Sequence, residues 1–160
     1  MNANEQLIHT FYKAFQEKDW KTMQSCYHED ITFNDAVFKN LQGKNAGAMW
    51  HMLLSSGSDL QLIFDGIQAD ENTGKAHWVA TYTLSKTGNK VINDIQANFT
   101  FKDGKIINHT DDFNFNKWAQ QAFGLIGTLL GHFGFFHKSI SDKAMKSLQI
   151  FIHKNASLYQ

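Results

Sequence analysis

The chain has 160 residues, 42% of them apolar and 14% aromatic, which is enough for one ordinary core and too apolar for a disordered segment. Fifteen basic residues balance fifteen carboxylates for a formal charge of zero, a balance that favours neither nucleic acid nor an anionic membrane as partner. Every basic side chain is lysine, so the bidentate arginine fork used for phosphate and carboxylate is missing.

In chain order, Leu7, Ile8, Phe11, Tyr12 and Phe15 recur at helical spacing and predict an amphipathic helix over 4–18. Asp19 reads as the N-cap of a second, short helix through Trp20, Met23 and Cys26. Cys26 is the only cysteine, which excludes an internal disulfide or a cysteine metal cluster, and its place at a helix end fits a buried inert thiol. Residues 31–38 read as a strand with Ile31, Phe33, Asp35 and Val37 on one face, and 43–56 as a third helix carrying Met49, Trp50 and Leu53.

From residue 59 the period changes from 3.6 to 2. Strands are predicted in DLQLIFDGIQAD, in KAHWVATYTLS with Ala76, Trp78, Ala80, Tyr82 and Leu84 on one face, and in KVINDIQANFTF with Val91, Asn93, Ile95, Ala97, Phe99 and Phe101 inward. ENTG, KTGN and KDGK are the turns between them. The last strand, IINHTDDFNF, places Ile107, His109, Asp111, Phe113 and Phe115 on one face and Asp112 on the other. The aromatics go with the odd set, so His109 and Asp111 are expected to face inward.

Beyond 114 the pattern is helical again, with glycines at 124, 127, 131 and 134 that fit a lid, a close helix contact or a poorly formed connection. Trp118, Phe123, Leu125, Leu129 and Leu130 are expected to dock, as are Leu148, Phe151 and Ile152, either over a pocket mouth or as added core. The run 123–136 is too short and glycine-rich for a membrane span, and the first residues lack the apolar run of a signal peptide, so a cytoplasmic protein is expected. Helices followed by a strand meander imply an α+β fold with helices on one face of the sheet.

The segments FYKAFQEKDWKTMQSCYHEDITFNDAVF and ANFTFKDGKIINHTDDF resemble the nuclear transport factor 2-like superfamily, in particular its SnoaL-like and ketosteroid isomerase-like branches. The resemblance implies a cone-shaped, curved antiparallel or mixed β-sheet wrapped around the N-terminal helices, a cystatin-like α+β roll with a deep apolar pocket. The chain then reads as one domain, 1–160, with its core in about 4–115 and a C-terminal helical extension over about 116–156. It also implies a homodimer paired through the outer sheet face, where Val79, Thr81 and Thr83 form an uncharged β-branched row.

For activity, the resemblance maps the isomerase base onto Asp35, with Ala36 where the family has proline; the two oxyanion donors fall at Phe11 and Ala97, and Tyr12 is one residue off. Steroid isomerisation is therefore not expected. The acid–base aspartate of SnoaL-like cyclases matches Asp111, and the histidine–aspartate pair of scytalone dehydratase resembles His109 with Asp35. The Asp–Arg–Asp mechanism of the superfamily's epoxide hydrolases is excluded by the lack of arginine.

The expected catalytic set is Asp35 and His109 moving protons, with Asp111 orienting His109; Trp50, Trp78, Tyr82, Asn93, Phe99 and Phe113 are the expected ligand-binding residues. Each has a structural alternative: core packing for the aromatics, a closed polar network for His109, a turn for Asp35. The eight histidines show no ligand spacing such as HExxH, so neither metal nor cofactor is expected. Two readings stay open. One is a small-molecule enzyme doing cofactor-free isomerisation, cyclisation or dehydration on an apolar substrate; the other is a non-catalytic domain that binds a hydrophobic ligand or a protein partner.

Overall fold

The computed structural model describes residues 1–56 and 59–160. Helix α1 (Ala3–Gln16) starts on a capping box: the Asn2 side chain accepts from the Glu5 amide and the Glu5 carboxylate accepts from the Asn2 amide, both at 2.9 Å. Its apolar stripe Ile8, Phe11, Tyr12 and Phe15 is fully buried. Helix α2 (Trp20–Ser25) is capped by Asp19 as its sequence predicts, the carboxylate accepting from the Thr22 amide at 3.1 Å.

Strand β1 (Tyr27–Asn34) begins four residues before its expected start and ends before Asp35. The cause is Asp35 itself. Its Oδ1 accepts from the amides of Val37 at 2.7 Å and Phe38 at 2.6 Å, which folds 35–38 into a turn in place of more strand. Strand β2 (Leu41–Gln42) and helix α3 (Lys44–Ser56) follow, and then β3 (Gln61–Ala69), β4 (Thr73–Thr83), β5 (Lys90–Lys102) and β6 (Lys105–Asp112).

The strands form one curled sheet in the order β2-β1-β6-β5-β4-β3. Only the β1–β6 pair is parallel among the described residues. Along β4 and β5 the inward faces match the predicted alternation, with Ala76, Trp78, Ala80, Val91, Asn93, Ile95, Ala97 and Phe99 all buried. The last strand departs from it in one place. Thr100 pairs with Asn108 but Phe101 pairs with Ile106, so β6 carries an extra residue there. The bulge turns Ile106 inward and fully buries it, where simple alternation assigns Ile107. From His109 onward the parity is regular: His109 and Asp111 are buried and Asp112 is exposed.

The C-terminal segment forms helices α4 (Phe115–Phe123), α5 (Leu125–Leu130), α6 (Gly134–Lys154) and α7 (Ala156–Tyr159). Strand β6 stops opposite Gln96, which leaves the β5 edge open further along. Gln121 of α4 fills that gap, its side chain accepting from the Ile92 amide at 2.8 Å and donating to the Ile92 carbonyl at 3.0 Å. Helix α6 buries Leu148 in the main core, and Tyr159 of α7 meets His51 at 2.7 Å and Gln24 at 2.9 Å.

Helix α5 inverts the expected orientation. A Cβ placed on Gly127 would lie 1.8 Å from the Ala119 carbonyl oxygen, so this glycine permits backbone-to-backbone contact between α5 and α4. With the glycine face inside, Leu125 and Leu129 point into solvent, although their apolarity predicts burial. Replacing Gly127 with alanine should push α5 off α4 and lower stability by about 1–3 kcal/mol. Thermal unfolding and amide exchange along α5 measure both effects.

Candidate active site

Between the concave sheet face and helices α3, α4 and α6 lies a cavity of about 380 Å³. Its walls are mainly apolar, from side chains such as Phe15, Met49, Trp50, Leu60, Ile95 and Phe123. Asp35, Tyr82, Asn93 and Asp111 bring polar side chains to it from four different places in the chain, and Ser56, Thr83, Ser85, Lys86 and Lys143 line it as well.

Asp111 is held from behind. Its Oδ1 accepts from the indole of Trp78 at 3.2 Å and pairs with Nε2 of His109 at 2.9 Å. The other nitrogen of His109 meets the Tyr27 hydroxyl at 2.7 Å, and that hydroxyl accepts from the indole of Trp50 at 2.8 Å. Indole nitrogens only donate, so the Tyr27 oxygen is the acceptor for Trp50 and its own proton goes to Nδ1 of His109. His109 then carries its proton on Nε2 and gives it to Asp111. This arrangement gives every N–H and O–H donor in the chain Trp50–Tyr27–His109–Asp111–Trp78 an acceptor. Oδ2 of Asp111 takes no hydrogen bond from a described residue and is left for the cavity.

Asp35 approaches from the turn after β1. Burial raises its carboxyl from the ordinary 3.8 to about 6, against the pull of the Phe38 and Val37 amides and with a further push from the charge of Asp111. The carboxyl therefore changes protonation close to neutral pH. Tyr82 faces the same space. Its oxygen accepts from the Trp118 indole at 2.8 Å, which leaves the phenol proton free to donate into the cavity. Burial raises its pKa, opposed by the Trp118 hydrogen bond and reinforced by Asp35, so it stays a donor across the physiological range. Asn93 is 9% exposed, and its amide bonds to no described residue.

Of the residues singled out from sequence, Asp35, Asp111, Trp50, Trp78, Tyr82, Asn93 and Phe113 line this cavity, and two do not. His109 was expected to face the pocket but is sealed at 0% exposure, with the rings of Phe99, Phe33, Phe11 and Trp50 around it at 4.5, 5.1, 5.5 and 6.0 Å. Phe99, its cross-strand partner, is sealed with it, 2% exposed and edge-on to Tyr12. The reason is α1: Phe11 and Tyr12 fill the concave space over this end of β5 and β6, and the cavity opens only from Asp111 onward.

The geometry thus reverses the order expected within the pair, with Asp111 toward the cavity and His109 behind it. Sequence reasoning missed Tyr27 and Trp118. Trp118 was read only as docking apolar surface, yet it sets the direction of the Tyr82 hydroxyl. Cys26 is buried and its thiol is pushed up to about 11 by that burial, as fits an inert side chain.

A family model described as SnoaL-like domain matches residues 8–109. Among solved structures, an NTF2-like protein of unknown function from Burkholderia pseudomallei is 13% identical, with a TM-score of 0.67 over 78% of this chain and 100% of that one. An LEH-like epoxide hydrolase from M. tuberculosis is 15% identical, with a TM-score of 0.64 over 81% of this chain and 96% of that one. A candidate polyketide cyclase from Xanthomonas campestris pv. campestris is 21% identical, with a TM-score of 0.61 over 72% of this chain and 93% of that one. At such identities the likeness is one of fold. No curated protein matches the chain.

Proposed function

The chain belongs to the SnoaL-like domain family, and from that premise we propose that residues 1–160 act as one domain catalysing cofactor-free acid–base chemistry on an apolar small molecule. Isomerisation, cyclisation and dehydration share the step required, transfer of a proton to or from carbon or oxygen within a water-poor cavity. The observation that carries the reading is the pairing of two carboxylates in one apolar cavity, one of them drawn up to about 6. In this reading Asp35 removes a proton, Tyr82 donates to the oxygen on which charge develops, and Asp111 holds or relays a proton through its free Oδ2. His109 is a positioning residue that fixes the carboxylate of Asp111.

The test is solvent exchange. A panel of apolar ketones in deuterium oxide should gain deuterium beside the carbonyl with the wild-type protein and not with Asp35→Asn. Ligand binding without exchange across the panel would leave the second reading, a non-catalytic binding domain. That reading draws on the closed network behind Asp111, which equally suits a rigid polar floor for orienting a ligand.

The proposed homodimer uses the convex sheet face. Ile63 pairs with Val79 and Ile92 with Thr81 across the strands. Ile63 and Ile92 are 67% and 50% exposed there, an apolar patch that a two-fold partner would cover. Sedimentation at micromolar concentration should find twice the 18.3 kDa chain mass, and Ile63→Lys should halve it.

A further inference from the structure

Helix α5 and the segment after it place Leu125, Ile126, Leu129, Phe133 and Phe135 in solvent, each between 52% and 82% exposed. Five large apolar side chains within eleven residues are unusual on a water-facing surface. The packing shows why they point outward: Gly127 and Gly131 give α5 its inner face, and the Gly131 end lies against Asn116 at the start of α4. A helix that hides its glycines and shows its leucines is built for something outside the chain. It has six residues, and no helix of the described residues is long and apolar enough to cross a membrane.

Charge identifies the occupant. Residues 116–160 hold Lys117, Lys138, Lys143, Lys146 and Lys154 against the single carboxylate Asp142, while the first 115 residues hold ten lysines and fourteen carboxylates. The formal neutrality of the chain conceals a cationic C-terminal segment on an anionic core. Lys138 pairs with Asp142 at 2.6 Å; the other four lysines pair with no carboxylate of the described residues. Lys117 follows Asn116, whose amide meets His132 at 2.9 Å beside the apolar face. A second copy paired through this same face about a two-fold axis would set one cationic segment against another, which disfavours that pairing.

We propose that the face formed by Leu125, Ile126, Leu129, Phe133 and Phe135 docks on an anionic lipid surface, with the apolar side chains entering the interface and the lysines of α4 and α6, apart from the cavity-lining Lys143, meeting the headgroups. The same helices supply Trp118, Phe123, Ile140, Lys143 and Ala144 to the cavity wall. Docking therefore brings the cavity's helical cover to the phase in which apolar molecules concentrate. This last point rests on the reading of the cavity as an apolar-substrate site; the docking itself does not.

The experiment is flotation of the full chain with phosphatidylcholine vesicles, with and without phosphatidylglycerol, at low and high salt. The wild-type protein should float with the anionic vesicles, at least about tenfold more than with the neutral ones, and high salt should reduce the difference. Leu125→Ser with Leu129→Ser should lose most of that binding at an unchanged melting temperature, because both side chains are already in water. Lys117→Gln with Lys146→Gln should weaken only the anionic preference. Asp35→Asn should bind vesicles like wild type, so loss of catalysis and loss of docking are separable. Wild-type protein that floats with neither vesicle would overturn the proposal, whatever the variants do. So would a leucine variant that binds unchanged, or one whose sole effect is to split a dimer.

Discussion

Replacing Asp35 with asparagine should abolish proton transfer and make the protein more stable at neutral pH. The amide keeps an Oδ1 that can accept from Val37 and Phe38, so the turn after β1 survives. What it removes is a charge that the folded chain disfavours. Because burial raises the folded-state pKa from 3.8 to about 6, the native state holds its proton more tightly than the unfolded chain does. The favourable contribution is complete below the unfolded value and is lost as pH rises through about 6. At pH 8 the wild-type protein therefore bears a cost of about 3 kcal/mol that the asparagine variant escapes. Thermal unfolding should show the variant more stable at pH 8 and level with wild type at pH 4. Catalysis should run the other way, with exchange by the wild-type protein rising through pH 6 to a plateau. The variant should fall by roughly 10²–10⁴-fold across the range. A variant that is no more stable at pH 8 would mean the carboxyl is not desolvated. One that retains exchange would mean the base lies elsewhere, and Asp111 would be the next residue to replace.

This opposition between stability and activity was only half legible in the sequence. Long strands with strict alternation, β4 and β5, revealed their inner faces because a period of 2 over eleven and thirteen residues admits one register. The inward face of Asp111 followed from the alternation along β6, and Asp35 from the family resemblance, but the expected proton-moving pair was Asp35 with His109, not Asp35 with Asp111. Three features were not legible, each for a separate reason. The bulge in β6 inserts one residue, and nothing local in KIINHT distinguishes Ile106 from Ile107. The sealing of His109 and Phe99 depends on Phe11 and Tyr12, almost a hundred residues away, so strand parity told inside from outside but not cavity from core. The outward leucines of α5 were misread because apolar residues were assumed to turn inward. The glycines at 127 and 131, one helical turn apart, already marked a competing inner face. The charge balance misled in a similar way, since a zero sum over the whole chain says nothing about its segments.

Replacing His109 with leucine should cost the fold about 3 kcal/mol and should also reduce catalysis, although the ring touches no cavity. Leucine fills much of the space among Phe11, Phe33, Phe99 and Trp50, so the loss is one of polar partners more than of volume. The Tyr27 hydroxyl loses its acceptor, and Asp111 loses a donor while keeping only the longer bond from Trp78. Two buried groups, each short of one partner, cost about 1–3 kcal/mol apiece, and a cost near 3 kcal/mol lowers the melting temperature of a domain this size by about 6–12 °C. A glutamine at the same position can accept from Tyr27 through its oxygen and donate to Asp111 through its nitrogen. His109→Gln should therefore recover a large part of both stability and rate. That rescue separates the candidate roles. If His109 itself moved protons, glutamine would restore the fold but not the chemistry, because an amide has no protonation equilibrium near neutral pH and cannot serve as general acid or base. If it holds Asp111 in place, glutamine should restore both together, with KM near wild type and kcat within about tenfold, since the geometry of the positioned carboxylate is what the rate depends on.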